Sequence, residues 1–127
     1  LLSMVKTLVD GSSPAERKIV VAGEMLELGD TAADIHRHTG LAIASMDVDV
    51  LIGVRGFAKE LVSGAANAGF DDVRFAEDAD RAGQMLADIV RPGDVVLVKG
   101  SRGVKTEKVI AKLRERFGSE RNGAVAG

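Results

Sequence analysis

Residues 93–103 read Gly93-Asp94-Val95-Val96-Leu97-Val98-Lys99-Gly100-Ser101-Arg102-Gly103. Val95 to Val98 is an apolar run without polar alternation, the pattern of a strand covered on both faces. Pro92 and Gly93 stop whatever helix precedes it. The chain leaves the strand through glycines, a serine and two cations. Val109, Ile110, Leu113 and Phe117 then follow at helical spacing. A doubly covered strand running straight into a helix is the repeating unit of a parallel α/β sheet.

Upstream, the same unit recurs. Lys18 to Ala22 (KIVVA) is a buried-strand candidate ending at Gly23, Val48 to Val54 a second, and Val73 to Ala76 a short third. Leu1, Val5 and Leu8 predict an opening helix, with Asp10 to Pro14 as loop. Thr31, followed three residues later by Asp34, resembles a capping box. It opens a helix with the stripe Ala32, Ile35, Thr39, Ala42 and Met46. Phe57, Leu61, Ala65 and Ala68 share the face of another helix, and Gly69 stands where a left-handed C-cap belongs. Asp78 caps a helix whose stripe is Ala79, Ala82, Leu86 and Ile89. Strands alternating with helices, with no internal repeat or interior linker, predict one α/β domain: a mainly parallel sheet with helices on both faces, three layers in all.

Composition narrows the function classes. The 127 residues suit a single domain, and 46% are apolar, enough for an ordinary core. Cysteine is absent, which removes disulfides and thiolate metal sites and fits an intracellular home. The net charge of −2 and intermixed signs argue against nucleic acid or a polybasic membrane contact. Four Phe with no Trp or Tyr leave little to stack bases on. No apolar run approaches the ~20 residues needed to span a bilayer. The chain opens in an apolar-periodic stretch without an initiator Met, so a fragment of a longer polypeptide is expected. Residues 118–127 lack periodicity and are expected to form a flexible tail.

In an open parallel sheet, ligands bind beyond the carboxyl ends of the strands. Two loops qualify. Lys99, Gly100, Ser101 and Arg102 combine close backbone approach, a hydroxyl and two cations, the makings of an anion site. The plainer alternative is a strand-to-helix turn with solvated charges. The second loop, Gly23-Glu24-Met25-Leu26-Glu27-Leu28-Gly29, places Glu24 and Glu27 at a strand end, where they could face a ribose, a metal or a cation. On spacing alone it reads more readily as a surface turn with Met25, Leu26 and Leu28 as packing. His36 and His38 lie two apart on a helix and so face different ways; with no cysteine and no third histidine, no zinc site is expected. Asp71, Asp72, Glu77, Asp78 and Asp80 read as turn and cap residues. Neither a GxxxxGK[ST] loop nor a GxGxxG fingerprint is present, and Ser101 has no histidine nearby in sequence. Any ATP phosphates would need a cradle from another domain, and alone the chain is expected to catalyse nothing.

These two loops, in this order, resemble the C-terminal domain of Mur ligases of the D-alanyl-D-alanine-adding type. The first match runs through Gly23, Met25, Glu27, Leu28, Gly29, His36 and Gly40; the second through Gly93, Asp94, Leu97, Lys99 to Arg102, Glu107 and Val109. The resemblance implies a Rossmann-like domain over residues 1–117, preceded in the whole enzyme by an N-terminal domain and a central ATPase domain. It implies a cytoplasmic, monomeric, ATP- and Mg2+-dependent ligase of peptidoglycan synthesis, joining D-alanyl-D-alanine to a UDP-N-acetylmuramoyl-tripeptide. Lys99, Gly100, Ser101 and Arg102 would then bind substrate, while Glu24, Met25, Glu27 and His36 would face the nucleotide cleft. No metal ligand and no catalytic residue is expected in this domain itself. Glu24 stands where the family usually has Asp, and Val104, Lys105 and Thr106 replace a stretch of mostly small residues. Two alternatives stay open: a flavodoxin-like signalling module, whose acidic pair after the first strand is missing here, and a sister Mur ligase that adds a single amino acid.

Overall fold

The computed structural model describes residues 1–12, 16–25 and 29–99. The expected final helix, the tail, Leu26, Glu27, Leu28 and the Gly100-Ser101-Arg102 turn lie outside the described residues. Chain order is α1 (Leu2–Gly11), β1 (Lys18–Gly23), a 3-10 turn (Gly29–Thr31), α2 (Ala32–Ala44), β2 (Val50–Val54), α3 (Ala58–Asn67), β3 (Val73–Ala76), α4 (Ala79–Ile89) and β4 (Val95–Lys99). All pairings are parallel, and the strands stand in the order β3-β2-β1-β4.

Alternation along the strands divides the core in two. Ile19, Val21, Val50, Ile52, Val96 and Val98 pack with Ala79, Ala82 and Leu86 of α4. Val20, Ala22, Leu51, Val95 and Leu97 face Val5 and Leu8 of α1, Ile43 of α2 and Leu61 and Ala65 of α3. The described part is thus three layers, as expected. Val95–Val98 stands at one end of the described sheet yet is buried on both sides, so its sequence carries no polar face.

Local signals set most element ends. Gly69 (φ +95°) ends α3 in a Schellman arrangement: its N–H donates to Ala66 O at 3.0 Å, and that of Phe70 to Ala65 O at 3.0 Å. Asp78 caps α4 by accepting from the Arg81 N–H at 2.8 Å. Thr31 does occupy the N-cap of α2, but its side chain makes no capping bond; the 3-10 turn enters the helix instead. Helix α1 continues through Asp10 and Gly11, where a loop was expected. Strand β2 begins at Val50, not Val48, because Asp49 closes the sheet's lower edge: its carboxylate accepts from the Lys18 N–H at 2.8 Å.

The face that α2 buries differs from expectation. Its buried residues are Ala32, His36, Thr39, Gly40 and Ile43, whereas Ile35 is 38% exposed. Both stripes share Ala32 and Thr39 and both have helical spacing. Close helix contact decides between them. A Cβ on Gly40 would lie 1.8 Å from Leu61 O, and one on Gly64 would lie 2.1 Å from Arg37 O. Helices α2 and α3 therefore touch backbone to backbone, and only the His36 face offers the glycine for it.

At the amino ends of the strands, Arg17 clamps Asp94. Its Nη2 lies 2.6 Å from Oδ2, Nε lies 3.2 Å from both oxygens, and the guanidinium also donates to Ile89 O. The hydrogen bond to Asp94 raises the Arg17 pKa above the ordinary arginine value, outweighing desolvation. Lys18, also at this end, is buried; its Nζ donates to Glu16 O at 3.0 Å and lies 3.3 Å from Asp47 Oδ2.

Candidate functional site

From β1 the chain steps to β2 and then β3 through α2 and α3 on one face. It returns through α4 on the other face to place β4 on the far side of β1. The order reverses between β1 and β4, and this is where an open α/β sheet leaves a crevice beyond its carboxyl ends. Register places Ala22 opposite Lys99 on one side and Gly23 opposite Val54 on the other. Both loops singled out in the sequence therefore start at the reversal, and the β2–α3 turn joins them.

Glu24 continues β1 by donating its N–H to Val54 O at 3.1 Å. Its side chain is 9% exposed. Oε2 accepts the Phe57 N–H at 3.0 Å, and Oε1 lies 3.5 Å from Arg55 Nε. A carboxylate beside the first amides of α3 is well placed electrostatically, since those amides carry the helix's partial positive charge. The reach depends on Gly56 (φ +50°), where a Cβ would sit 2.0 Å from Glu24 Oε2. The sequence reading favoured a surface turn; Glu24 is instead a buried tie between two strand ends.

His36 forms the second tie. The ring is fully buried, with Nδ1 2.6 Å from Ala32 O and Nε2 2.8 Å from the Met25 amide. A carbonyl only accepts and a backbone N–H only donates, so the proton belongs on Nδ1. The Phe57 ring packs at 5.7 Å between centroids. Thus α2 holds Met25, Glu24 holds the start of α3, and Phe57 spans the two. Phe57 itself is 46% exposed, not the inward residue that its helical spacing predicted.

Lys99, half-buried, ends β4 on the side of Val95 and Leu97. The remaining residues of its turn, and Glu27 of the first loop, lie outside the described residues. His38 is exposed with Nδ1 2.8 Å from Asp34 O, and Asp72 pairs with Arg74 at 2.9 Å, so neither joins the site. Among the described residues no group of three or more His, Cys, Asp or Glu is placed to hold a metal. None of their helices is long and apolar enough to cross a membrane. A cavity of about 420 Å³ between Phe75 and Met85 opens at the β3 edge, two strands from the reversal, and shares no residue with it.

Sequence reasoning missed Arg55. It follows β2, carries φ +68° as the sole non-glycine with positive φ among the described residues, and its side chain is 53% exposed. The signal available was Arg-Gly directly after a buried strand, since a strand-end turn that closes on itself calls for left-handed residues.

An all-parallel sheet whose strand order reverses between β1 and β4, with helices on both faces, defines a Rossmann-like domain. The chain belongs to the C-terminal domain family of the Mur ligases, its residues 2–102 matching the model described as "Mur ligase, glutamate ligase domain". A UDP-N-acetylmuramoyl-tripeptide–D-alanyl-D-alanine ligase of Mycobacterium leprae is 36% identical over 96 residues, 72% of this chain and 19% of that protein. The Bacillus subtilis protein of the same name is 29% identical over 101 residues, 78% of this chain and 22% of that protein. A crystal structure of MurF from Acinetobacter baumannii superposes with a TM-score of 0.76 at 24% identity, covering 90% of this chain and 25% of that one. This last likeness bears on the fold alone. The chain spans about a fifth of the length of the curated relatives it matches.

Proposed function

We propose that the whole protein joins D-alanyl-D-alanine to a UDP-N-acetylmuramoyl-tripeptide in peptidoglycan synthesis, and that residues 1–117 position the dipeptide and close the cleft. One observation carries this reading: the Glu24 turn and the Lys99 strand end emerge on neighbouring strands at the sheet reversal. The names of the similar proteins supply the substrates. The N-terminal and central domains would supply the remainder of a monomeric, cytoplasmic enzyme. The Glu24 carboxylate is committed to Phe57 and Arg55, and no metal-binding group exists among the described residues. By the family resemblance, magnesium and the ATP phosphates fall mainly to the central domain.

In such a ligation ATP supplies the phosphoryl group that activates the tripeptide carboxylate. The dipeptide amine forms the new C–N bond and gives up a proton, while phosphate leaves with the broken C–O bond. This domain contributes placement. Lys99 and Arg102 would hold the dipeptide's carboxylate, with Gly100 and Ser101 letting backbone come close. The pinned Glu24–Met25 turn, continued by Glu27, would form the other wall, and closure would keep water from the activated carboxylate.

The test is phosphate release by the full-length protein given ATP, Mg2+, the UDP-tripeptide and D-alanyl-D-alanine. Release that requires the dipeptide is expected, and Lys99→Met or Arg102→Ala should raise the dipeptide KM at least about tenfold, the loss of one charge-assisted contact. Release with a single amino acid in place of the dipeptide would turn the reading toward a sister ligase. Unchanged dipeptide KM in both variants would remove the anion-site assignment.

A further inference from the structure

Arg55 occupies a backbone conformation that glycine adopts freely and arginine does not. The fold imposes it. The Arg55 N–H donates to Ala76 O at 2.8 Å, and its carbonyl accepts from the Ala58 N–H at 3.0 Å, so both sides of the residue are tied. Its neighbour Gly56 is left-handed too, at φ +50°. Stability alone would favour glycine at both positions, yet the first carries a long cationic side chain. That side chain is 53% exposed, and its Nε edge faces Glu24 Oε1 at 3.5 Å. Glu24 is itself held by Phe57, so a buried carboxylate orients the guanidinium from below. A strained residue whose side chain is aimed by a buried partner, at the carboxyl end of a sheet, points to use by a ligand.

Position adds to this. Arg55 and Lys99 leave the strands on either side of β1, two strand spacings or roughly 10 Å apart, with Glu24 between them. We propose that Arg55 is a second cationic contact at the reversal, gripping an oxyanion of the substrate opposite the Lys99 side. The ligand group is a carboxylate or a phosphate, a planar or tetrahedral oxyanion that a guanidinium binds through paired N–H donors. This rests on the ligase reading for its assay but on separate observations for the residue.

The experiment compares the unaltered full-length protein with Arg55→Gly and Arg55→Lys, measuring KM for ATP, KM for D-alanyl-D-alanine, kcat and the thermal midpoint. Arg55→Gly should keep or raise the midpoint, because glycine relieves the strain, while one KM rises at least about tenfold. A rise for the dipeptide alone assigns the carboxylate; a rise for ATP alone assigns the phosphate. Arg55→Lys, which keeps the charge but not the fork, should fall between. Both KM values within twofold of the parent would overturn the proposal, as would a lower midpoint with a fall in kcat alone. The unaltered protein separates the two readings. No dipeptide-dependent turnover there removes the ligase reading, whereas turnover there with unchanged KM in Arg55→Gly removes only the role of Arg55.

Discussion

His36 links two stretches that the sequence keeps eleven positions apart, Met25 and its own helix. Replacing it by Phe keeps the apolar body and removes the acceptor, leaving the Met25 amide unsatisfied in a half-buried turn. The expected cost is about 1–2 kcal/mol, typical for a stranded donor. Hydrogen exchange localises the effect: the Met25 amide should exchange faster in His36→Phe while Val20, deep in β1, keeps its protection. Equal acceleration at both would mean global destabilisation instead. At this scale the sequence was only partly legible. It marked Glu24, Met25 and Lys99 as lying at strand ends, and they are there, with His36 on the following helix. It did not reveal that Glu24 and His36 serve as internal ties, because their partners are backbone amides at Phe57 and Met25, which no residue type announces.

Among elements, glycines at three positions test two different constraints. Gly40→Ala would drive a methyl group into Leu61 O, and Gly64→Ala one into Arg37 O. Each should cost about 2–3 kcal/mol through forced separation of α2 and α3. The double variant should cost less than the sum, since the helices need part only once. Gly69→Ala meets nothing within 4 Å and is strained only by its φ of +95°, so about 1 kcal/mol is expected. Urea denaturation with an unchanged m-value would measure all four. The strands and the caps at Gly69 and Asp78 could be read directly, because apolar runs and cap residues act locally. The buried face of α2 could not, because two stripes fit one periodicity and only the neighbouring helix chooses. Arg55 escaped for a different reason: strain belongs to the closed turn, and Arg-Gly after a buried strand was its one trace in the sequence.

At the scale of the whole fold, the Arg17–Asp94 clamp and the proposed ligand site lie at opposite ends of the strands. Asp94→Ala would leave the Arg17 guanidinium and the Arg91 amide without their carboxylate. A loss of about 2–3 kcal/mol is expected, that of a part-buried charged hydrogen-bond group. Substrate KM values should not move, since this cluster lies at the amino ends. The Arg17 pKa is raised on folding, so its contribution is complete below the unfolded value and fades only in strong alkali. Between pH 6 and pH 10, by that sign, the Arg17 guanidinium gives no slope to the stability curve, a point that pH-dependent melting checks. The layered architecture itself was legible, as alternating apolar strands and amphipathic helices leave few other ways to bury both sheet faces. The glycine-mediated contact of α2 with α3 has a further bearing on how such a domain can diversify. The turns that lead into these helices are coupled like teeth on one gear, so an altered ligand preference is more readily reached by changing side chains on them than by reshaping either turn alone.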